Sequence, residues 1–153
     1  MLAIQDLYPT EFAHCYGCGT KNPNGHKLKS YLIDDRVEAR FTADPTYTGG
    51  FPKHVYGGLL ASLLDCHGAA SAAAFAYQAR GRTQSDGIGV LRFVTGTLTI
   101  VFHKPTPLGT ELFLQGKLKS LDNRKAIIDL SLSAGDVVCV SAEMIAIQLP
   151  EDI

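Results

Sequence analysis

The chain has 153 residues, of which 46% are hydrophobic and 19% charged, and this composition excludes disordered and fibrous proteins. Its 14 basic and 15 acidic residues give a net charge of −1. Because a nucleic-acid binder needs a basic excess, we expect no nucleic-acid partner. The length fits one domain, which we place at residues 1–153, with residues 1–26 as an irregular N-terminal segment.

Hydropathy and cysteine usage indicate the compartment. The longest uncharged apolar stretch beside a helix signal is Val55–Leu64, which is shorter than the ~20 residues of a membrane-spanning helix. The first residues carry no Lys or Arg before an acid, unlike a secretory signal. We therefore expect no membrane partner and a cytoplasmic, reducing location. Cys66 and Cys139 lie in apolar segments and are expected to be small buried side chains.

The first elements in chain order are two strands, Lys27–Ile33 and Arg36–Phe41. In the second strand, apolar and charged residues alternate, which predicts one buried and one solvated face. The segment from Gly57 to about Ala79 is rich in Ala and Leu and lacks β-branched residues, which predicts a helix that stops near Gly81. This helix is apolar nearly all round, so most of its surface must be covered.

Four more strands follow, separated by short turn sequences that favour antiparallel hairpins. They are Ile88–His103, Thr110–Ser120, Lys125–Ser133 and Val137–Leu149. Strands and helices do not alternate, which excludes a doubly wound parallel sheet. The predicted fold class is α+β, with a curved antiparallel six-stranded sheet wrapped around one long central helix.

Four segments carry a resemblance to a known family: CYGCGTKNPNGHKLK (15–29), GFPKHVYGGLLASLLD (50–65), VTGTLTIVFHKPTPLG (94–109) and VVCVSAEMIAIQLP (137–150). In this order and spacing they resemble the hotdog-fold acyl-CoA thioesterases of the phenylacetate-pathway type, in a branch with a Cys-rich N-terminus. The resemblance implies hydrolysis of an acyl-CoA without a cofactor, by a homodimer or a dimer of dimers (a homotetramer).

The resemblance also implies a set of site residues. Asp65 matches the family's carboxylate, as general base or nucleophile, and Thr95 matches a hydroxyl that places the attacking water. Tyr56 stands where the family usually has His, and Gly50 where some members have Asn. These two departures leave open a protein that binds acyl-CoA with weak or no hydrolysis.

The glycine pair Gly57 and Gly58 opens the helix, where free backbone amides and the helix dipole can stabilise an oxyanion. The alternative is that the glycines only permit close packing. Gly58 and Asp65 lie about 10 Å apart along one helix, too far to act on one carbonyl. The resemblance implies that the helix start comes from one subunit and the Asp from the other, with the active site at the interface.

Each remaining candidate has a structural alternative. Asp65 can simply bind backbone amides, and Thr95 is at home in a strand on propensity alone. Tyr56 can donate a hydrogen bond or line the acyl pocket. His54 and Gly50 are candidates for substrate binding, and the alternative for His54 is a solvated histidine in a loop. Six cations are candidates for the CoA nucleotide: Lys53, Arg80, Arg82, Lys104, Arg124 and Lys125.

The cysteines carry two further hypotheses. Cys66 and His67 are helix neighbours whose side chains diverge by about 100°, which argues against a cysteine hydrolase. His14, Cys15, Cys18 and His26 form half of a zinc pattern. We expect no metal, and keep a zinc-organised interaction module as the least favoured function; the alternative for this segment is an ordered loop packed beside the helix.

Overall fold

The structure, a computed structural model, describes residues 1–150. Residues 151–153, the end of the predicted domain, lie outside the described residues. The described part contains one α-helix and six strands: β1 Ser30–Ile33, β2 Arg36–Thr42, α1 Gly57–Ala79, β3 Phe93–Phe102, β4 Glu111–Asp122, β5 Lys125–Ala134 and β6 Val137–Gln148. Short 3-10 helices lie at Ile4–Leu7, Thr10–Phe12 and Pro45–Tyr47.

The strands form a single antiparallel sheet in the order β1-β2-β4-β5-β6-β3. The sheet packs against α1, which contacts all six strands. The predicted α+β architecture is therefore confirmed, and it is the hotdog arrangement that the resemblance implies. β1 and β3 are the two edges, so β3 has one side paired with β6 and, among residues 1–150, no strand neighbour on its other side.

Most strand boundaries lie within two residues of the prediction. Two strand starts differ by three residues or more, in both cases because the backbone leaves the extended region. β1 begins at Ser30 rather than at residue 27, since Lys27 has a left-handed φ of 55°. β3 begins at Phe93 rather than at residue 88. Gly87 and Gly89 have φ values of 74° and 149°, so the chain turns there before it enters the sheet.

The helix has the predicted bounds and is longer than the apolar stretch Val55–Leu64 on which the membrane prediction rested. Its best 18-residue window has a mean hydropathy of 1.4, enough by length and composition to cross a membrane. However, 78% of that window is buried inside the fold, so the sheet supplies the cover that this apolar surface needs. At the other end, Gly81 has a φ of 64° and ends the helix as predicted.

Small residues let α1 approach the sheet closely. A Cβ added to Gly116 on β4 would lie 2.5 Å from Ser71 Oγ, and one added to Gly68 on α1 would lie 2.6 Å from the Met144 side chain. Both contacts are shorter than real Cβ contacts. At these two points an added methyl group would require the Ser71 or Met144 side chain to move.

A buried polar network ties the N-terminal segment to the helix. His67 Nε2 donates to the Val37 carbonyl at 3.0 Å, so its Nδ1 accepts from Ser30 Oγ at 2.8 Å. Ser30 also exchanges hydrogen bonds with the side chain of Gln5. Burial lowers the pKa of His67 to about 4, which makes it a neutral structural histidine.

Candidate active site

Asp65 and Thr95 meet at the inner edge of the sheet. Asp65 lies two turns into α1 and is half-buried, and Thr95 Oγ1 donates to Asp65 Oδ1 at 2.5 Å. Thr95 pairs with the buried Ala146 of β6 and follows the buried Phe93 by two residues, so strand alternation faces it toward the helix. The β3–β6 register then shifts between Thr95 and Thr97. Gly96 occupies the bulge, where an added Cβ would lie 3.1 Å from the Ile145 carbonyl oxygen.

The Asp65 carboxylate and the Thr95 hydroxyl line a cavity of about 350 Å³. Its wall also includes the aromatic side chains of Tyr8 and Phe12 and the guanidinium of Arg92, which lies 3.6 Å from the centre of the Phe12 ring. These three residues were not predicted from the sequence. The N-terminal segment has no periodic pattern, so nothing in it indicated that its aromatic residues face the helix.

The helix start lies apart from this cavity. Gly57 and Gly58 are exposed, and Tyr56 makes no side-chain cap. The Leu59 amide donates to the Tyr56 carbonyl at 3.2 Å, whereas the Gly57 and Gly58 amides have no intrahelical acceptor. A Cβ added to Gly57 would be 3.5 Å from the ring of Phe102, at the far end of β3. Neither glycine lines the cavity that holds Asp65, so one chain does not bring the amides and the carboxylate together.

The residues before the helix are arranged around this start. The Tyr56 ring packs over Gly58, where an added Cβ would be 2.7 Å from Tyr56 Cε2, and it is 39% exposed. His54 is half-buried and its ring lies 5.9 Å from that of Phe51. Gly50 is exposed with open space where a side chain would be. These three residues line the approach to the helix start rather than the Asp65 cavity.

Three cysteines meet beside Asp65 in the wall of the cavity. The sulfur atoms of Cys15, Cys18 and Cys66 lie within 4.8 Å of one another, and Cys15 Sγ is 3.7 Å from Cys66 Sγ. The pKa of Cys15 is lowered to about 2 by hydrogen bonds from the Cys18 and Cys66 thiols. The same bonds hold the proton on the other two sulfurs and raise the pKa of Cys18 to about 12 and that of Cys66.

This grouping changes two sequence interpretations. Cys66 is buried as predicted but it is more than an apolar filler, because it contributes the third sulfur of the cluster. His14 and His26 do not join the cysteines: His14 is exposed, and His26 packs edge-on against Tyr16. Cys66 and His67 diverge, one toward Cys15 and the other toward Ser30, as their helical spacing predicted.

The six candidate cations divide between the two ends of α1. Lys53 and Lys104 are exposed near the helix start, where His54 pairs with Pro107. The other four are at the C-terminal end: Arg80, Arg82, Arg124 and Lys125. Arg80 and Arg124 bind Gln148 there, and Arg82 pairs with Asp86. Only the first group lies beside the exposed amides.

Comparison with solved structures places the fold among thioesterases. A thioesterase superfamily protein from Shewanella loihica PV-4 is 38% identical, with 92% of this chain and 97% of that chain covered and a TM-score of 0.69. The PaaI protein from the phenylacetic acid degradation operon of E. coli is 17% identical, with 82% of each chain covered and a TM-score of 0.63. A Bacillus halodurans protein solved with CoA is 21% identical, with 82% and 76% covered and a TM-score of 0.62.

Sequence comparison gives a second, independent result. A search of curated proteins finds no significant match. The model of the thioesterase superfamily matches residues 52–141, more than half of the chain and the whole span from the helix start through β5. The chain therefore belongs to the thioesterase superfamily, and its fold is the superfamily's hotdog fold.

Proposed function

We propose that the protein hydrolyses acyl-CoA thioesters to a free acid and CoA, with Asp65 as the general base. Membership of the thioesterase superfamily supports thioester hydrolysis in general. The observation that carries the finer proposal is the Thr95–Asp65 hydrogen bond of 2.5 Å in the wall of an open cavity. A carboxylate in such a cavity, held by one hydroxyl, has a second oxygen free to take a proton from water.

The proposed reaction follows from which protons and hydrogen bonds each group can donate or accept. The Thr95 proton is engaged with Asp65, so the Thr95 oxygen has lone pairs available to accept from a water molecule. Asp65 removes the other proton of that water as its oxygen attacks the thioester carbon. The carbon–sulfur bond then breaks, and the CoA thiolate leaves with the proton that Asp65 acquired. Asp65 as nucleophile is the alternative route, in which its carboxylate attacks first.

The developing oxyanion requires donors, which we assign to the Gly57 and Gly58 amides of a second subunit. Support comes from the two ends of β3: Asp65 binds Thr95 near its start, and Gly57 packs against Phe102 at its end. Antiparallel pairing of two β3 edges about a two-fold axis near Leu98 and Thr99 brings the first end of one strand beside the last end of the other. The functional unit proposed is therefore a homodimer, alone or within a dimer of dimers.

The CoA portion of the substrate is proposed on chemistry and on one fold neighbour. The Bacillus halodurans protein of the same fold was solved with CoA. In this chain, Lys53 and Lys104 are exposed at the helix start and offer positive charge for phosphates beside the amides. Tyr56, His54 and Gly50 are proposed to line the path of the substrate there. The residues described as cavity wall are apolar or aromatic in large part, which suits the acyl group.

A second candidate function is binding of acyl-CoA without turnover. It is favoured by Tyr56, which replaces the usual His and whose ring packs over Gly58. A tyrosine hydroxyl can donate a hydrogen bond but lacks the ring nitrogen with which a histidine takes up a proton. In this candidate the ring shields the amide donors, and the protein stores or delivers the acyl-CoA unchanged.

One experiment separates these possibilities. Purified protein is given a panel of aliphatic and aryl CoA thioesters, and release of free thiol is followed. Hydrolysis of at least one class supports the proposal, and tight binding with no release favours the second candidate. A single turnover in isotopically labelled water, with enzyme in excess, then assigns the role of Asp65. A general base puts the label only into the acid and forms no covalent intermediate. Label in the Asp65 carboxylate shows a nucleophile whose mixed anhydride is opened by water at the Asp65 carbon, and trapping with hydroxylamine detects an anhydride that water opens at the acyl carbon.

A further inference from the structure

The three sulfur atoms beside Asp65 come from two separate parts of the chain. Cys15 and Cys18 lie in the turn of the N-terminal segment, and Cys66 lies on α1, about fifty positions further on. All three thiols are free, with none joined in a disulfide. Their sulfur atoms nevertheless lie within 4.8 Å of one another, so side chains from two elements converge on one point.

The turn that carries two of these cysteines is shaped around sulfur. The Gly19 amide donates to the Cys15 carbonyl at 2.7 Å, which closes the turn. A Cβ added to Gly17 would lie 2.4 Å from Cys66 Sγ. The backbone of the turn therefore packs directly against Cys66 and brings Cys15 and Cys18 to the helix.

The distances match a tetrahedral metal ion better than a disulfide. Zinc–thiolate bonds of about 2.3 Å place two sulfur ligands about 3.8 Å apart on a tetrahedron. The Cys15 and Cys66 sulfur atoms are 3.7 Å apart. A disulfide would need the two sulfurs at about 2.05 Å and would leave the third cysteine without a function. Three converging sulfurs, two of them buried, favour a soft divalent cation.

We propose that Cys15, Cys18 and Cys66 bind one zinc-type divalent metal ion, with a solvent molecule from the Asp65 cavity as fourth ligand. All three cysteines line that cavity, so the open position faces it. The ion joins the N-terminal segment to α1 at the residue next to Asp65. His14 and His26 take no part, because the structure places His14 at the surface and His26 among aromatic rings.

Two measurements on the full chain, kept reduced and free of chelator, test this site. Elemental analysis after expression with added zinc should find one zinc ion per chain. Replacement by cobalt should give intense sulfur-to-cobalt charge-transfer absorption together with the visible bands of a tetrahedral ion. Cys15→Ser and Cys66→Ser should each lose most of the bound metal and most of the charge-transfer intensity.

Cys139→Ser is the matched control, since Cys139 is buried on β6 with its thiol near the Val137 carbonyl, and it should keep its metal. Cys15 is exposed, so the Cys15→Ser variant should stay folded. A cooperative thermal transition followed by circular dichroism checks this. A wild-type chain with no more zinc than Cys15→Ser, and no cobalt charge-transfer band, overturns the proposal. Neither measurement involves hydrolysis, so a result against the metal site can be distinguished from a result against the proposed thioesterase function.

Discussion

Thr95 donates a hydrogen bond to Asp65 over 2.5 Å, although one residue lies on the edge strand and the other on the central helix. Thr95 lies two residues after the buried Phe93 and pairs with the buried Ala146, so strand alternation turns its side chain toward the helix. The register shift at Gly96 follows, and after it Leu98 rather than Thr97 continues the inward face, opposite Met144. In the proposed mechanism the two residues have separate roles, because Thr95 holds the carboxylate and Asp65 takes the proton from water.

Replacing Asp65 by Asn tests the chemistry. Asn keeps the size of Asp and can accept the Thr95 hydrogen bond, but it cannot take a proton. Asp65→Asn should therefore lower kcat by about 10²–10⁴, while unfolding free energy is unchanged or higher. Thermal melting and single-turnover hydrolysis of the same sample check both. Asp136→Asn, in the exposed turn between β5 and β6, is the control. An Asp65→Asn protein that melts several degrees lower but turns over normally would make Asp65 structural.

Replacing Thr95 tests the positioning of the carboxylate and its water. Thr95→Ala removes the hydroxyl and should lower kcat by roughly tenfold, equivalent to about 1.4 kcal/mol in the transition state. Thr95→Ser keeps the hydroxyl and should be nearly silent. Steady-state kinetics on the two variants check the contrast. If both leave kcat unchanged while folded, the hydrogen bond to Asp65 has no part in catalysis.

Helix α1 and the candidate residue Asp65 could be predicted because both depend on the local amino-acid composition. Ala and Leu without β-branched residues favour helix, and a single Asp65 in an apolar helix is conspicuous. The Cys66 contribution to the sulfur cluster was not predictable. It depends on how the N-terminal segment folds back, and a turn of Gly, Cys and Asn has no periodicity that reports on a distant partner. Arg92 and Phe12 were missed for the same reason.

The buried histidine predicts a pH dependence of stability. The pKa of His67 is about 4 in the folded chain because burial disfavours its charged form, against about 6.5 when unfolded. Between these values the unfolded chain binds a proton that the folded chain does not, so stability is full above pH ~6.5 and falls as pH drops to ~4. The pKa difference corresponds to about 3 kcal/mol at most.

Urea unfolding at a series of pH values measures this contribution. The unfolding free energy of the wild type should fall more steeply below pH ~6.5 than that of His67→Gln, which has no ring to protonate. The difference in slope is the readout, because the substitution also disturbs the hydrogen bonds to Ser30 and Val37. His14→Gln, at an exposed site, should have the wild-type slope. Parallel curves for wild type and His67→Gln would contradict the assignment.

The close approach of α1 to the sheet predicts a stability loss at Gly116. Gly116→Ala places a Cβ 2.5 Å from Ser71 Oγ, and moving that oxygen disturbs its 2.7 Å hydrogen bond to the His67 carbonyl. We expect the unfolding free energy to fall by about 1–3 kcal/mol. Gly50→Ala, where the added carbon meets nothing within 4 Å, should cost far less. Adding Ser71→Ala to Gly116→Ala should recover part of the loss, and additive losses would contradict a direct contact.

The proposed dimer predicts that β3 is the interface. This edge strand exposes apolar side chains, with Val101 at 50% and Phe102 at 54%, and an unpaired apolar edge is a ready template for a second strand. Sedimentation at micromolar concentration should give at least twice 16.5 kDa. Val101→Lys should shift the protein toward monomer, whereas Val137→Lys, at an equally exposed valine in the β5–β6 hairpin, should not. A wild-type mass of 16.5 kDa would end this proposal.

Mixing two inactive variants tests whether the site is shared between subunits. Asp65→Asn removes the base, and Gly57→Val screens the helix-start amides with a side chain that fits beside Phe102, since an added Cβ there makes only ordinary contact. Each variant alone should have little activity. After unfolding and refolding of an equal mixture, about half of the dimers contain one subunit of each variant. Each of these mixed dimers has two sites, of which one combines the intact carboxylate with the intact amides. Activity should therefore recover to about one quarter of wild type. If carboxylate and amides belonged to the same chain, every site in the mixture would keep one defect and no activity would return.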